Sequence, residues 1–351
     1  MNPLGNDGER LIIRLTGVQK EIKMKVLITG GSGFIGTNLV SFYIGRGAEI
    51  SNLDIAAPQN PEHECYWKQI DLLNMQHLRE EVHAFSPTHI FHLAACTGLD
   101  ETRDINRYAA NIQGVENLIA VSRGLPNLQR IIFTSSMLVC KSGYRPKGDN
   151  DYCPNTLYGE SKVLGEKTVR RAKDLPCSWV IVRPVGIWGP WFRTAYREFF
   201  LTIARGLYVH PGQRSANQAL GFVGNTVYQL HRLATVPSEK VNGKTFYLAD
   251  CPPLSLRDWA NLIHQTLGAR RIQTVPVWVL KMVAILGDLA TLLGWKRPLL
   301  TSSRLNNMRT DLRYDIDPII GEGLPYTLEE GVRRTVNWLY REGEISSPKV
   351  D

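Results

Sequence analysis

At 351 residues, 43% of them hydrophobic, the chain is long enough to bury one large core or two modest ones. Its net charge of +8 is dispersed without a run of five basic residues, which excludes a nucleic-acid-binding stripe but still favours anionic cofactors and substrates. Six cysteines (65, 96, 140, 153, 177 and 251) lack CxxC spacing, which argues against a zinc or other metal site and fits reduced thiols in a cytoplasmic protein.

Residues 1–23 precede a second methionine, lack the plan of a signal peptide and read as an extension outside the fold. The fold begins with "KVLIT", Lys25 to Thr29, short, β-branched and bounded by glycine, hence a buried strand. Gly30, Gly31, Gly33 and Gly36 follow, and apolar residues then recur at helical intervals from Phe34 to Arg46, with Gly47 placed to stop the helix. A helix start offers unpaired N–H groups and partial positive charge to an anion, and glycines let a phosphate approach the backbone. A second strand, Ala48 to Leu53, runs into Asp54, 18 residues beyond Gly36. An acid at that distance accepts the ribose hydroxyls of a bound dinucleotide. Its charge repels the extra phosphate of NADP, so NAD is the expected cofactor and NADP the lesser one.

Strands at 66–70, 89–95, 130–136 and 178–184 then alternate with helices at 75–85, around 106–121 and at 158–173. Apolar strands alternating with helices predict a doubly wound parallel sheet, a Rossmann-type α/β fold, with ligands beyond the strands' carboxyl ends. The expected division is a dinucleotide-binding domain over 24–187. A smaller substrate-binding region follows over 188–351, with about 220–235 returning to the first domain. "VPVWVLKMVAILGDLATLLGW", Val275 to Trp295, approaches the length of a membrane span. Pro276, Lys281 and Asp288 break it, so it reads as a buried or interfacial helix and no span is expected.

Tyr158 and Lys162 of "YGESK" share one helix face. A free tyrosine ionises near pH ~10, and a neighbouring ammonium favours the phenolate, so the pair can exchange a proton with a hydroxyl or ketone. Ser136 ends the strand "RIIFTSS", where its hydroxyl can hold the reacting oxygen against the tyrosine.

Taken in order, "TGGSGFIG", "HLAA", "NIQGVENLI", "FTSS", "YGESK" and "RPVGIWGP" resemble the extended short-chain dehydrogenase/reductase superfamily, specifically its NAD-dependent epimerase/dehydratase group, over roughly Lys25 to Trp338. The resemblance implies that Gly30, Gly33, Phe34, Ile35 and Gly36 line the pyrophosphate and that Asp54 holds the adenosine ribose. Asp71 and Leu72 would flank adenine, and Leu93, Ala94 and Ala95 would back the cofactor. Asn111 would stand near the site, while Pro184 and Ile187 border the nicotinamide. Ser136 and Tyr158 would be catalytic with Lys162, which also reaches the nicotinamide ribose. Thr97, Met137, Gly186 and Arg304 are the expected substrate contacts; Arg304, with Arg309 and Arg313, could grip a diphosphate. The implied enzyme is a 4-epimerase or 4-keto-sugar reductase of a nucleotide-linked sugar, working as a homodimer in carbohydrate biosynthesis. The alternatives are a hydroxysteroid-type dehydrogenase of an apolar alcohol and a non-catalytic dinucleotide-binding regulator.

Two departures stand out. Gly186 replaces the asparagine found after "RPV" in many sugar-modifying relatives, and Cys140 replaces the tyrosine of the usual "VYG". Met137 and Leu138 occupy the positions where dehydratases of this group carry an Asp-Glu pair.

Overall fold

The computed structural model describes residues 24–99, 101–193, 196–295 and 300–345; the extension over 1–23 lies outside them. Seven strands form the central sheet: β1 (Lys25–Thr29), β2 (Glu49–Asp54), β3 (Trp67–Gln69), β4 (His89–His92), β5 (Arg130–Thr134), β6 (Ser178–Pro184) and β7 (Thr245–Leu248). Their order is β7-β6-β5-β4-β1-β2-β3, and every neighbouring pair is parallel. Strand order reverses between β1 and β4, where Thr29 pairs with His92 and also with Leu53 across the other edge. That reversal opens a crevice at the carboxyl ends of the strands.

The helices covering the sheet start where their side chains can cap them. In α2 (Met75–Phe85) the Asn74 side chain accepts the His77 N–H, and in α4 (Leu157–Arg171) Thr156 does the same for Gly159. Helices α1 (Phe34–Ile44) and α3 (Ala109–Ser122) complete the layers around the first half of the sheet. Beyond β6 come α5 (Tyr196–Ala204), α6 (Val223–Thr235), α7 (Leu256–Leu267), α8 (Val277–Leu292), α9 (Ser302–Asn307) and α10 (Leu328–Arg341).

Helix α6 packs against α1. "TFYL" joins the main sheet as β7 beside β6. Its burial alternates along the strand, so one face packs on the sheet's covering layer and the other does not. A single apolar cluster runs from Val26 and Phe91 through Trp188 and Trp259 to Leu339, so sheet and C-terminal helices share one core. Trp188 and Trp259 are fully buried with ring centroids 5.2 Å apart. Truncating either to alanine would cost roughly 3–5 kcal/mol.

Candidate active site

The glycine turn after β1 is required by the backbone on both sides of it. Gly30 has φ +75°, and a Cβ there would lie 2.5 Å from the Ala94 nitrogen and 2.8 Å from the Leu93 carbonyl carbon. A Cβ on Gly36 would stand 2.2 Å from the Gly30 oxygen, so only glycine lets α1 start against the turn. Gly33 is the extended N-cap of α1, with no side-chain cap and no acid in the first turn. The N–H groups of that turn, from Phe34 and Ile35 onward, therefore begin a helix whose own first turn supplies no anion to its positive end. Gly31 belongs to the same constraint: its Cβ would meet the Asn52 side chain at 2.3 Å, a long-range contact that the sequence does not display.

Asp54 stands at the end of β2 beside this turn. Its Oδ2 accepts the Ser32 N–H at 3.0 Å and its Oδ1 the Ala56 N–H at 3.0 Å, which fixes the carboxylate against the glycine turn. Asp71 accepts the Leu73 N–H, while the Leu72 side chain is buried in the core and its carbonyl accepts Asn117 Nδ2. Leu72 can thus meet a ligand only through its backbone. Leu93, Ala94 and Ala95 continue from β4, half-buried, against Gly30. A bare turn, an open helix start and an acid at the next strand end fit a dinucleotide.

Beyond β5, Ser136 and Tyr158 meet. The Ser136 Oγ accepts the Leu138 N–H at 3.1 Å, and its hydroxyl is near enough to the Tyr158 phenol to hold the phenol's pKa down. Tyr158 also has the Tyr108 ring 6.1 Å away. Lys162 is buried one turn further along α4, its Nζ donating to the Thr134 carbonyl at 3.0 Å and lying 6.0 Å from the Tyr158 ring centroid. Asn111 is locked in place: Nδ2 donates to the Cys96 carbonyl and the Ser161 hydroxyl, and Oδ1 accepts the Cys96 N–H at 2.8 Å. It orders the strand-to-helix link and braces α4.

One electrostatic expectation is corrected. The sequence predicts that the lysine pulls the phenol's pKa down, but burial raises it, and the Ser136 hydroxyl offsets the rise only in part. Loss of water penalises both charged forms, so the same burial lowers Lys162 to about 8, with Glu166 opposing. At neutral pH the site therefore holds a protonated phenol and an ammonium within one pH unit or so of release. Below them Arg183 makes a two-pronged ion pair with Glu166 at 2.9 and 2.8 Å, tying β6 to α4, and its NH1 donates to Tyr247.

Past the end of β6, Met137, Tyr247 and Tyr314 pack around Val185, Ala219 and Ala249, the two tyrosine rings 4.7 Å apart. Pro184 and Ile187, half-buried, flank Gly186 at the end of β6. Gly186 has φ +49°, and a Cβ there would press on Leu220 Cδ2 and Tyr196 OH, each at 2.6 Å. The space a longer side chain would need is already filled by Leu220 and Tyr196, a residue sequence reasoning passed over. Thr97 is exposed in the link after β4. Arg304 is exposed on α9, whose Leu305 packs with Leu280 and Ala284 of α8. Among the described residues no group of three or more His, Cys, Asp or Glu is arranged to hold a metal ion.

Residues 26–248 match the NAD dependent epimerase/dehydratase family. A 3 beta-hydroxysteroid dehydrogenase/Delta 5-->4-isomerase of Mycobacterium tuberculosis is 30% identical over 268 residues, 70% of each chain. An N-acetyl-alpha-D-glucosaminyl-diphospho-ditrans,octacis-undecaprenol 4-epimerase of Escherichia coli O157:H7 is 26% identical, covering 89% of this chain and 94% of that one. In fold, the UDP-glucose 4-epimerase of Thermus thermophilus, solved as a complex with NAD, is similar with a TM-score of 0.67, 18% identity and coverage of 90% and 99%. The glycine turn, the parallel sheet and these matches agree: the chain belongs to the NAD-dependent epimerase/dehydratase family of extended short-chain dehydrogenases/reductases, and it is an enzyme of that type.

Proposed function

We propose that the chain interconverts a secondary alcohol and a ketone with NAD, on a substrate whose body is apolar or lipid-linked. The observation that carries the reaction type is the Ser136–Tyr158 hydroxyl pair with Lys162 buried behind it. A nicotinamide bound along the glycine turn would supply or accept the hydride. Ser136 would hold the reacting oxygen, and Tyr158 would give it a proton in reduction or take one in oxidation. Lys162, with a pKa of about 8, would keep positive charge near the phenol while the proton moves. Gly30, Gly33, Phe34, Ile35 and Gly36 would hold the pyrophosphate and Asp54 the ribose.

For the substrate, the wall of Met137, Tyr247 and Tyr314 and the filled space at Gly186 support an apolar partner over a hydroxyl-rich sugar ring. The names of the two sequence relatives, with a hydroxysteroid in one and undecaprenol in the other, support the same choice. The undecaprenol relative is itself a 4-epimerase, so a sugar carried on a nucleotide or a lipid is the second reading. The test is NAD reduction or epimer formation with a 3β-hydroxysteroid, a polyprenyl-diphospho-sugar and UDP-glucose as probes. Turnover of UDP-glucose alone would reverse the order of the two readings. Turnover of none, with NAD bound, would remove both.

A further inference from the structure

Helix α8 is oriented against the usual rule for a surface helix. Its protein-facing side carries Leu280, Ala284 and Gly287, all buried. Its outward side carries Trp278, Met282, Ile285, Leu286, Leu289 and Leu292, each at least half exposed. The spacing 278, 282, 285, 286, 289 and 292 is one continuous stripe at helical period. Among the described residues, nine of the fifteen exposed large hydrophobics fall between Trp278 and Trp295, so this one segment carries most of the exposed apolar side chains. Patches of this kind mark interaction sites.

Charge selects the occupant. Between Arg270 and Arg313 the sequence has eight basic and two acidic residues, so this stretch holds six of the chain's eight net positive charges. Asp288, one of the two acids, accepts the Ser302 N–H and is turned toward α9. Lys281 is exposed on α8 itself, and Arg270, Arg271 and Arg309 are exposed in the segments that flank it in the sequence. Trp278 and Trp295 stand near its two ends, both about two-thirds exposed, where indoles favour the level of lipid headgroups. The helix is 16 residues long, roughly 24 Å, which is shorter than a hydrocarbon core. Among the described residues no helix is long and apolar enough to cross a membrane. A second copy of the chain docked on this face would bring two basic fringes together, at a cost; an anionic surface would neutralise them.

The geometry points to α8 as a membrane-surface anchor: it lies in the headgroup region of an anionic bilayer, its apolar stripe in the acyl boundary and its basic fringe on the lipid phosphates. This inference does not depend on the catalytic reading. The test is co-sedimentation of the full chain with mixed phosphatidylcholine/phosphatidylglycerol vesicles and with phosphatidylcholine alone. Pelleting should be on the order of tenfold stronger with the anionic vesicles and fall as salt is raised. The double variant Leu286→Glu/Leu289→Glu should remain in the supernatant while melting and binding NAD as the wild type does. Should that variant misfold, quenching of tryptophan fluorescence by brominated phosphatidylglycerol, lost in Trp278→Phe/Trp295→Phe, decides the matter in the folded chain. Equal pelleting with both vesicles, no pelleting, absence of quenching, or a wild-type dimer that the double variant dissolves would overturn the inference.

Discussion

Replacing Lys162 by methionine separates what this residue does for chemistry from what it does for stability. Its ammonium is buried and its pKa falls from 10.5 to about 8, so keeping it charged in the fold costs about 3 kcal/mol. The sign follows from the direction of the shift. A base lowered by burial binds its proton less well folded than unfolded, so the fold is disfavoured below about pH 8 and recovers as pH rises toward 10.5. Methionine removes that cost, keeps an unbranched side chain one atom shorter, and loses one charge-assisted hydrogen bond to the Thr134 carbonyl, worth about 1.5–3 kcal/mol. The two nearly cancel, so Lys162→Met should melt within a few degrees of wild type at pH 7. Its turnover should fall about 10²- to 10⁴-fold, the usual worth of positioned acid–base chemistry. Calorimetric melting beside NAD reduction with the active probe substrate measures both. A variant that loses activity only in proportion to its unfolded fraction would refute the separation. So would one that keeps full activity.

Asp54→Ser should weaken NAD binding about tenfold and NADP binding less, since one ribose acceptor is lost while the repulsion of the 2′-phosphate is relieved; equal losses by titration calorimetry would show that Asp54 does not read the ribose. Asp250 accepts the Phe222 N–H and Asn225 Nδ2, and burial raises its carboxyl to about 7. Its contribution is thus fully present below about pH 4 and lost as pH climbs through about 7, and Asp250→Asn should flatten the fall in melting temperature over that window. Unchanged pH dependence in that variant would locate the titration elsewhere. The protein should form no 4-keto-6-deoxy product from dTDP-glucose, GDP-mannose or UDP-GlcNAc. Met137 and Leu138 cannot exchange protons, and the next acid but one, Asp151, is occupied by the Tyr144 hydroxyl and the Lys147 N–H. Appearance of that product's alkaline absorbance above a no-enzyme control would contradict this.

Local chemistry made much of the molecule legible. The glycine turn, the strand ending in Asp54, "FTSS" and "YGESK" each announce themselves within a few residues, and α2 (Met75–Phe85) and β6 (Ser178–Pro184) have the bounds their patterns predict. What escaped depends on partners distant in the chain. "TFYL" is four residues long, and only its pairing with β6, more than sixty residues upstream, makes it a sheet strand. The need for glycine at 31 comes from the side chain of Asn52, and the space around Gly186 is set by Tyr196 and Leu220. The direction of the Tyr158 shift turns on how deeply α4 is buried, a tertiary quantity. In α8 the buried and exposed faces are equally apolar, so hydropathy alone could not say which side meets water.

The central claim is that Tyr158 handles the proton while hydride passes between NAD and a carbinol. The most direct measurement compares wild type and Tyr158→Phe, with NAD binding first shown equal, for the rate of reduced-nicotinamide formation from a 3β-hydroxysteroid. The prediction is reduction by the wild type and a rate lower by about 10²-fold or more in the variant. Equal rates in the two proteins would contradict it.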